Sequence, residues 1–316
     1  GKEGNVKSQT AGKPFIATTN MCDANWNTIK SGTGSDHYVN IVTDDLFDTH
    51  PANKQLISGT TWFSIDLRTA SLTQGTSICS TDATDNSIKS STSSLVTVVP
   101  RNETPVYLQL LYPGESAVPG KGEAPTGGKS GSPSKQTAGV QCTMTVNATD
   151  RYWNRFTTDP GLGAGWPVGA KIYTTDEFDV EPSSKALTNG TTVFHWKFFT
   201  ATVIYSTATD VDVAAPTYGE YGSSVTVIPN APANLLVLVP NETHVPGSSN
   251  GKTGTVKQQT VQKAFDVTVK ATDDWWNQVD VSSYVTVTTP NDPFDTEPAA
   301  NQQLVNGNKT FSLNPC

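Results

Sequence analysis

GKSGSPSKQTAGVQCTMTVNATDRYWN, running from Gly128 to Asn154, decides the fold because the chain carries it three times. It lies without a gap over GKEGNVKSQTAGKPFIATTNMCDANWN (Gly1–Asn27) and over GKTGTVKQQTVQKAFDVTVKATDDWWN (Gly251–Asn277). Gln136-Thr137 then falls on Gln9-Thr10 and Gln259-Thr260, Asp150 on Asp23 and Asp273, and Trp153-Asn154 on Trp26-Asn27 and Trp276-Asn277. The tryptophans stand about 127 and then about 123 residues apart, a fixed period that marks an array of like units. Inside the stretch, Cys142, Met144 and Val146 alternate with polar residues, as do Phe265, Val267 and Val269. That period of two predicts a half-buried strand, strand B of each unit.

The match continues outward. Phe47-Asp48 with Pro51 recurs as Phe178-Asp179 with Pro182 and as Phe294-Asp295 with Pro298. Leu56, Gly59 and Phe63 recur as Leu187, Gly190 and Phe194, then as Leu304, Gly307 and Phe311. Val39 and Ile41, or Val285 and Val287, predict strand C; Phe63, Ile65 and Leu67, or Phe194, Trp196 and Phe198, predict strand E. Strand F is expected near Ala201–Tyr205, and strand G at Val225 and Val227 or at Val96 and Val98. No segment keeps a helical period. About seven short strands per roughly 100 residues describe an all-β chain of tandem immunoglobulin-like Greek-key β-sandwiches joined by Pro/Gly-rich linkers such as Tyr112–Pro133. The expected units are residues 1–105, 106–233 and 234–316, the last holding no strands F and G. Either the chain is a window on a longer array, or strands of a neighbouring molecule complete the third unit.

Composition agrees. Of the 316 residues only 16% are charged, against 35% hydrophobic with seven Trp and eleven Phe. That is enough apolar volume for several small cores and too much for a disordered chain. The net charge of −8 argues against nucleic acid, since little here would neutralise a row of phosphates. No apolar run approaches the roughly 18–20 residues that span a bilayer as a helix.

The Gln-Thr-Ala-Gly opening, the Asp-x-x-Trp-Asn after strand B and the Asn-Gly-Thr-x-x-Phe before strand E resemble the tandem Ig-like repeats of large prokaryotic extracellular surface proteins. The resemblance implies an architecture of stalks, adhesins, surface-layer or filament components, an extracellular cell-surface location, and no particular chemistry.

Acidic side chains are the first candidates for a site. Asp45 and Asp48, Asp176 and Asp179, and Asp292 and Asp295 follow strand C, at the C-terminal pole of each unit. Asp150 and Asp273 follow strand B at the opposite pole, near Asp210 at the end of strand F. Acids of adjacent units could meet at each junction and hold Ca²⁺, which takes six to eight oxygen ligands. The plainer reading is that Asp favours turns and solvated poles. The repeated Trp reads as a cap on the core where strand B exits, with a carbohydrate platform as the alternative, and the Asn as a turn residue.

Cys22 and Cys79 are a disulfide candidate on strands expected to face each other; Cys142 takes the place of Phe15 and Phe265 and should be buried, and Cys316 exposed. Asn189 and Asn308 head Asn-x-Thr sequons and are expected at matching turn positions before strand E. The insertion Arg155–Gly169, with Trp166, is peculiar to the second copy and is a candidate lateral contact. His37, His50, His195 and His244 fall at unrelated positions, and no nucleophile elbow, phosphate loop or zinc spacing occurs. The chain is therefore expected to be no enzyme. It reads as a structural protein whose partner is itself, a segment of a stalk or self-assembling filament. The alternative is an adhesin that binds carbohydrate or a partner protein through its loops.

Overall fold

A computed structural model describes residues 1–158, 169–211 and 219–316, excepting the side chain of Glu220. Every regular element in it is a strand, so the chain is all-β, and no helix is long and apolar enough to cross a membrane.

Three buried clusters form the cores. The first unit packs Val39, Ile41, Leu56, Phe63, Ile65, Leu67, Val96 and Val98; the second packs Met144, Val146, Ile172, Phe194, Trp196 and Phe198 with Val225 and Val227. The third gathers Val269, Ala271, Val285, Leu304 and Phe311. These are the alternating positions of the expected strands, because one face of each strand turns inward and the next residue faces water.

The second unit shows the sandwich most fully. Strand B (Gln141–Thr149) pairs antiparallel with strand E (Thr191–Lys197), strand C (Gly169–Thr174) with strand F (Val203–Asp210), and F with strand G (Gly219–Ile228). Tyr107–Leu111 joins the two layers, running antiparallel to B and parallel to G. The Pro/Gly-rich segment that follows therefore starts from within the second unit, whose core also takes Val106, Leu108, Leu110 and Tyr112. It forms a small hairpin, Glu115–Ala117 with Lys129–Gly131, and returns to pair Gln136–Thr137 with strand G. Strand F differs from expectation in place. It reaches Asp210, and its inward residues are Ile204, Ser206 and Ala208. Small and polar side chains on the inner face hide the alternation, and Ser206 is there to meet the buried Tyr112 hydroxyl at 2.5 Å.

In the first unit B (Phe15–Asn20) pairs with E (Thr60–Ile65), and C (Tyr38–Thr43) with F (Ile78–Asp82). The third unit repeats the B–E pair as Phe265–Thr272 with Asn308–Leu313, and Asn234–Leu238 flanks B as Tyr107–Leu111 does in the second.

Two sequence expectations are corrected here. Cys22 and Cys79 are free thiols. Cys22 lies beyond the last residue of strand B, at the pole where B ends, whereas strand F begins at Ile78 beside the end of strand C, at the other pole. The two strands do face one another across the sandwich, but the cysteines stand towards opposite ends of it. Asn189 and Asn308 are not matching positions either. Asn189 sits in the D–E turn with φ of 50°, the counterpart of Asn306 at 51° and Ser58 at 50°. Asn308 is the first residue of strand E, paired with Lys270. Cys142 is buried, and burial pushes its thiol up to about 11, while Cys316 is exposed.

Candidate functional site

The Asp-x-x-Trp-Asn loop is a five-residue turn held by its own aspartate. The Asp150 backbone N–H donates to the Asn154 carbonyl at 3.0 Å and the Trp153 N–H to the Asp150 carbonyl at 3.1 Å. The Asp150 carboxylate reaches over the turn, Oδ1 accepting from Tyr152 N at 2.8 Å and Asn154 N at 2.9 Å, and Oδ2 from Asn154 Nδ2 at 2.9 Å. Aspartate is suited to this, because its short carboxylate can stand in for a backbone acceptor. The same bonds recur at Asp23 and Asp273.

The geometry puts Trp26, Trp153 and Trp276 at φ of 66°, 66° and 62°. Glycine is the usual residue at that point of such a turn, and a bulky residue there costs about 1–3 kcal/mol. What offsets the cost is packing. Trp153 is 0% exposed, with its Nε1 donating to the Thr126 carbonyl, Gly128 flat against its ring, and Tyr221 and Tyr107 at centroid distances of 4.9 and 5.8 Å. Trp276 has Gly251 against its ring in the same way, and Trp26 has Gly1. The ring thus anchors the Gly-rich segment of its own unit. It does not plug the core of the sandwich, which is where sequence reasoning placed it.

The asparagine has a role that sequence reasoning missed. Asn154 Nδ2 donates to the Arg68 carbonyl at 2.9 Å, and its Oδ1 accepts from Ala70 N at 2.7 Å. Both partners belong to the E–F corner of the first unit. Asp150 Oδ2 adds a third bond across the junction, from Arg101 N at 2.7 Å. The second junction repeats all three. Asn277 Nδ2 donates to the Phe199 carbonyl at 2.8 Å, Asn277 Oδ1 accepts from Ala201 N at 2.7 Å, and Asp273 Oδ2 accepts from Asn230 N at 2.9 Å.

The corner that receives these bonds is fixed from behind by the acid of its own unit. Asp45 accepts from Arg68 N at 2.7 Å and from Thr69 N and Oγ1 at 2.8 and 2.7 Å. Asp176 accepts from Phe199 N at 2.7 Å and from Thr200 N and Oγ1 at 3.0 and 2.6 Å. Residue 68 or 199 therefore gives its N–H to its own unit and its carbonyl to the next. A glycine of the following unit completes the clasp: Gly120 (φ 79°) lies against Thr69 and Phe47, and Gly247 (φ 82°) against Thr200 and Phe178, with no room for a Cβ at either. Side-chain contacts at the rim differ. In the first junction the Arg68 guanidinium lies 5.7 Å from the Tyr152 ring; in the second Phe199 stacks on Trp275 at 4.1 Å.

The acids of adjacent poles do come to the same junction, but E–F backbone lies between them and both sets bond to it. Among the described residues no three His, Cys, Asp or Glu side chains gather as a cation site would require. Asp48 and Asp179 sit behind the corner acids, accepting from Thr43 Oγ1 and from Trp196 Nε1 at 2.6 and 2.9 Å, and burial raises the carboxyl pKa of both. Asp292 and Asp295 occupy the same places in the third unit, Asp292 accepting from Cys316 N and Asp295 from Thr289 Oγ1. Asp210 closes strand F opposite Ala170. Trp166 lies outside the described residues, as does most of its insertion.

No family model and no curated protein matches the chain. Among solved structures it is similar to the fibronectin(III)-like modules of Clostridium thermocellum CbhA, at 13% identity and TM-score 0.22, over 71% of this chain and 90% of that one. It is similar to a putative membrane anchored protein from Corynebacterium diphtheriae, at 10% identity and TM-score 0.31, over 98% and 82%. It also matches alpha-2-macroglobulin from Escherichia coli at 10% identity and TM-score 0.29, over 99% of this chain and 21% of that one.

Proposed function

We propose that this chain is a structural segment of an extracellular cell-surface stalk or filament, a series of β-sandwiches locked pole to pole, without catalytic activity. The observation that carries the reading is the clasp made twice from equivalent residues, Asn154 on the Arg68–Ala70 corner and Asn277 on the Phe199–Ala201 corner. Connections between sandwiches allow relative motion by default, unless an interface holds them. Three buried backbone-directed bonds at each joint resist bending, because bending would strand N–H and C=O groups away from water. A load-bearing series needs that property, and a pair of independent binding modules does not.

The test is small-angle scattering on the chain and on the double variant Asn154→Ala, Asn277→Ala. The unaltered chain should give a narrow distribution of interunit distances. The double variant should broaden that distribution and shorten the mean end-to-end length, while its tryptophan near-UV signal persists. An unchanged distribution would show that the clasps do not stiffen the chain, and the structural reading would lose its support.

A further inference from the structure

The two outer poles of the chain carry the two complementary halves of the junction found twice inside it. At the first unit, the Asp23 loop is formed as in the docked copies, with Asn25 N and Asn27 N donating to Asp23 Oδ1 at 2.9 and 2.8 Å and Asn27 Nδ2 to Oδ2 at 2.9 Å. Trp26 has the same φ of 66° as Trp153, yet it is 57% exposed, and Asp23 and Asn27 are exposed with it. At the third unit, Asp292 Oδ2 accepts from Cys316 N at 2.9 Å, as Asp45 and Asp176 accept from Arg68 and Phe199. Phe294 is 81% exposed there, whereas its counterparts Phe47 and Phe178 lie against Gly120 and Gly247.

We infer that the N-terminal pole of the first unit, built on Asp23, Trp26 and Asn27, docks on the C-terminal pole of the third unit of a second copy of this chain, built on Asp292, Phe294 and Cys316. The occupant is argued from the internal junctions, where the same two kinds of pole already meet. In the contact the Asn27 amide donates to the Cys316 carbonyl, as Asn154 donates to Arg68 and Asn277 to Phe199. The poles are different surfaces, so the contact is head to tail and leaves a free half at each end; such interfaces grow open chains unless the rotation closes a ring. The inference rests on the structural reading above and names its partner. The internal junctions are helped by a tether that holds their halves at roughly millimolar effective concentration. Contact between copies lacks that help and is the weaker one.

The experiment is sedimentation velocity on the full 316-residue chain up to about 1 mM, the scale set by the tether. Two variants each disable one pole: Asn27→Asp, which replaces the amide donor with a charge facing a carbonyl, and Phe294→Asp. Both sites are exposed, so both variants should keep the fold. The unaltered chain should show a weight-average sedimentation coefficient that rises with concentration past the dimer. Each variant alone should stay monomeric. An equimolar mixture of the two should associate and stop at dimers, since it has one working pole of each kind. A monomeric unaltered chain, a variant that associates alone, or a mixture that does not associate would each overturn the inference. Should it fail while Asn154→Ala, Asn277→Ala still loosens the chain in scattering, only docking between copies is lost and the stiff-segment reading stands.

Discussion

Asp23–Asn27 and Asp150–Asn154 are the same five-residue loop in two settings. Their internal hydrogen bonds agree within 0.1 Å and their tryptophans share a φ of 66°. One loop is exposed and the other lies at a buried junction with Trp153, Asp150 and Asn154 all at 0% exposure. Docking therefore does not shape the loop. The aspartate shapes it beforehand, and the neighbouring unit adds only burial and partners. An interface that is already formed loses little conformational freedom on contact, which is how short, polar surfaces can hold.

The largest expected difference between the two lies at the ring. Trp153→Ala removes a fully buried side chain and should cost about 3–5 kcal/mol, read as a drop in denaturant midpoint together with loss of protection at the Gly128 backbone. Trp26→Ala removes a ring that is half in water and should cost under half as much. Equal losses would mean that the ring stabilises the turn itself, and that its packing on the Gly-rich segment is incidental.

A smaller but more specific gap is expected at the asparagine. Asn154→Ala leaves the Ala70 N–H and the Arg68 carbonyl without partners at a closed junction, a penalty of about 2–3 kcal/mol. Asn27→Ala loses an exposed bond to Asp23 and should change stability by about 0.5 kcal/mol or less. Hydrogen exchange at Ala70 reads the effect directly: protection should fall in Asn154→Ala and hold in Asn27→Ala.

The repeat shows why much of the fold could be read from residues alone and the clasp could not. Strands B, C, E and G place Val, Ile, Phe and Trp at every second position, so their inner faces announce themselves. Strand F places Ser206 and Ala208 there, and its limits were misjudged by several residues. Tyr112 looked like the start of a linker because Pro113-Gly114 follows it, yet its hydroxyl is hydrogen-bonded inside the second core. Cys22 and Cys79 were assigned to facing strands, but a strand assignment does not fix height along the sandwich. At the clasp, the partners of Asn154 are backbone atoms of Arg68 and Ala70, and backbone atoms leave no mark in a sequence. What was available was a spacing: Asn recurs four residues after Asp in all three copies, whereas a turn would have accepted Gly or Asp there equally well.

The subtlest contrast is in protonation. The ordinary aspartate value is 3.8, and the two loops depart from it in opposite directions. Asp23 is held below it, mainly by the Asn27 side-chain amide and then the Asn27 backbone N–H. Asp150 is raised above it because burial outweighs the bonds from Arg101 N, Asn154 and Tyr152 N. The signs for stability are opposite. Asp23 favours the folded chain above pH 3.8, and that contribution is lost as pH falls through its lowered folded value. Asp150 binds its proton more tightly when folded, so its contribution is greatest below pH 3.8 and is lost as pH rises through the raised value. Carbon-13 NMR of the side-chain carboxyls should therefore show Asp150 titrating above 3.8 and Asp23 below it. The Asn154→Ala variant, by opening the junction to water, should move the Asp150 midpoint down towards that of Asp23. If the two midpoints coincide in the unaltered chain, the junction around Asp150 is wet, and burial is no longer what separates the docked loop from the exposed one.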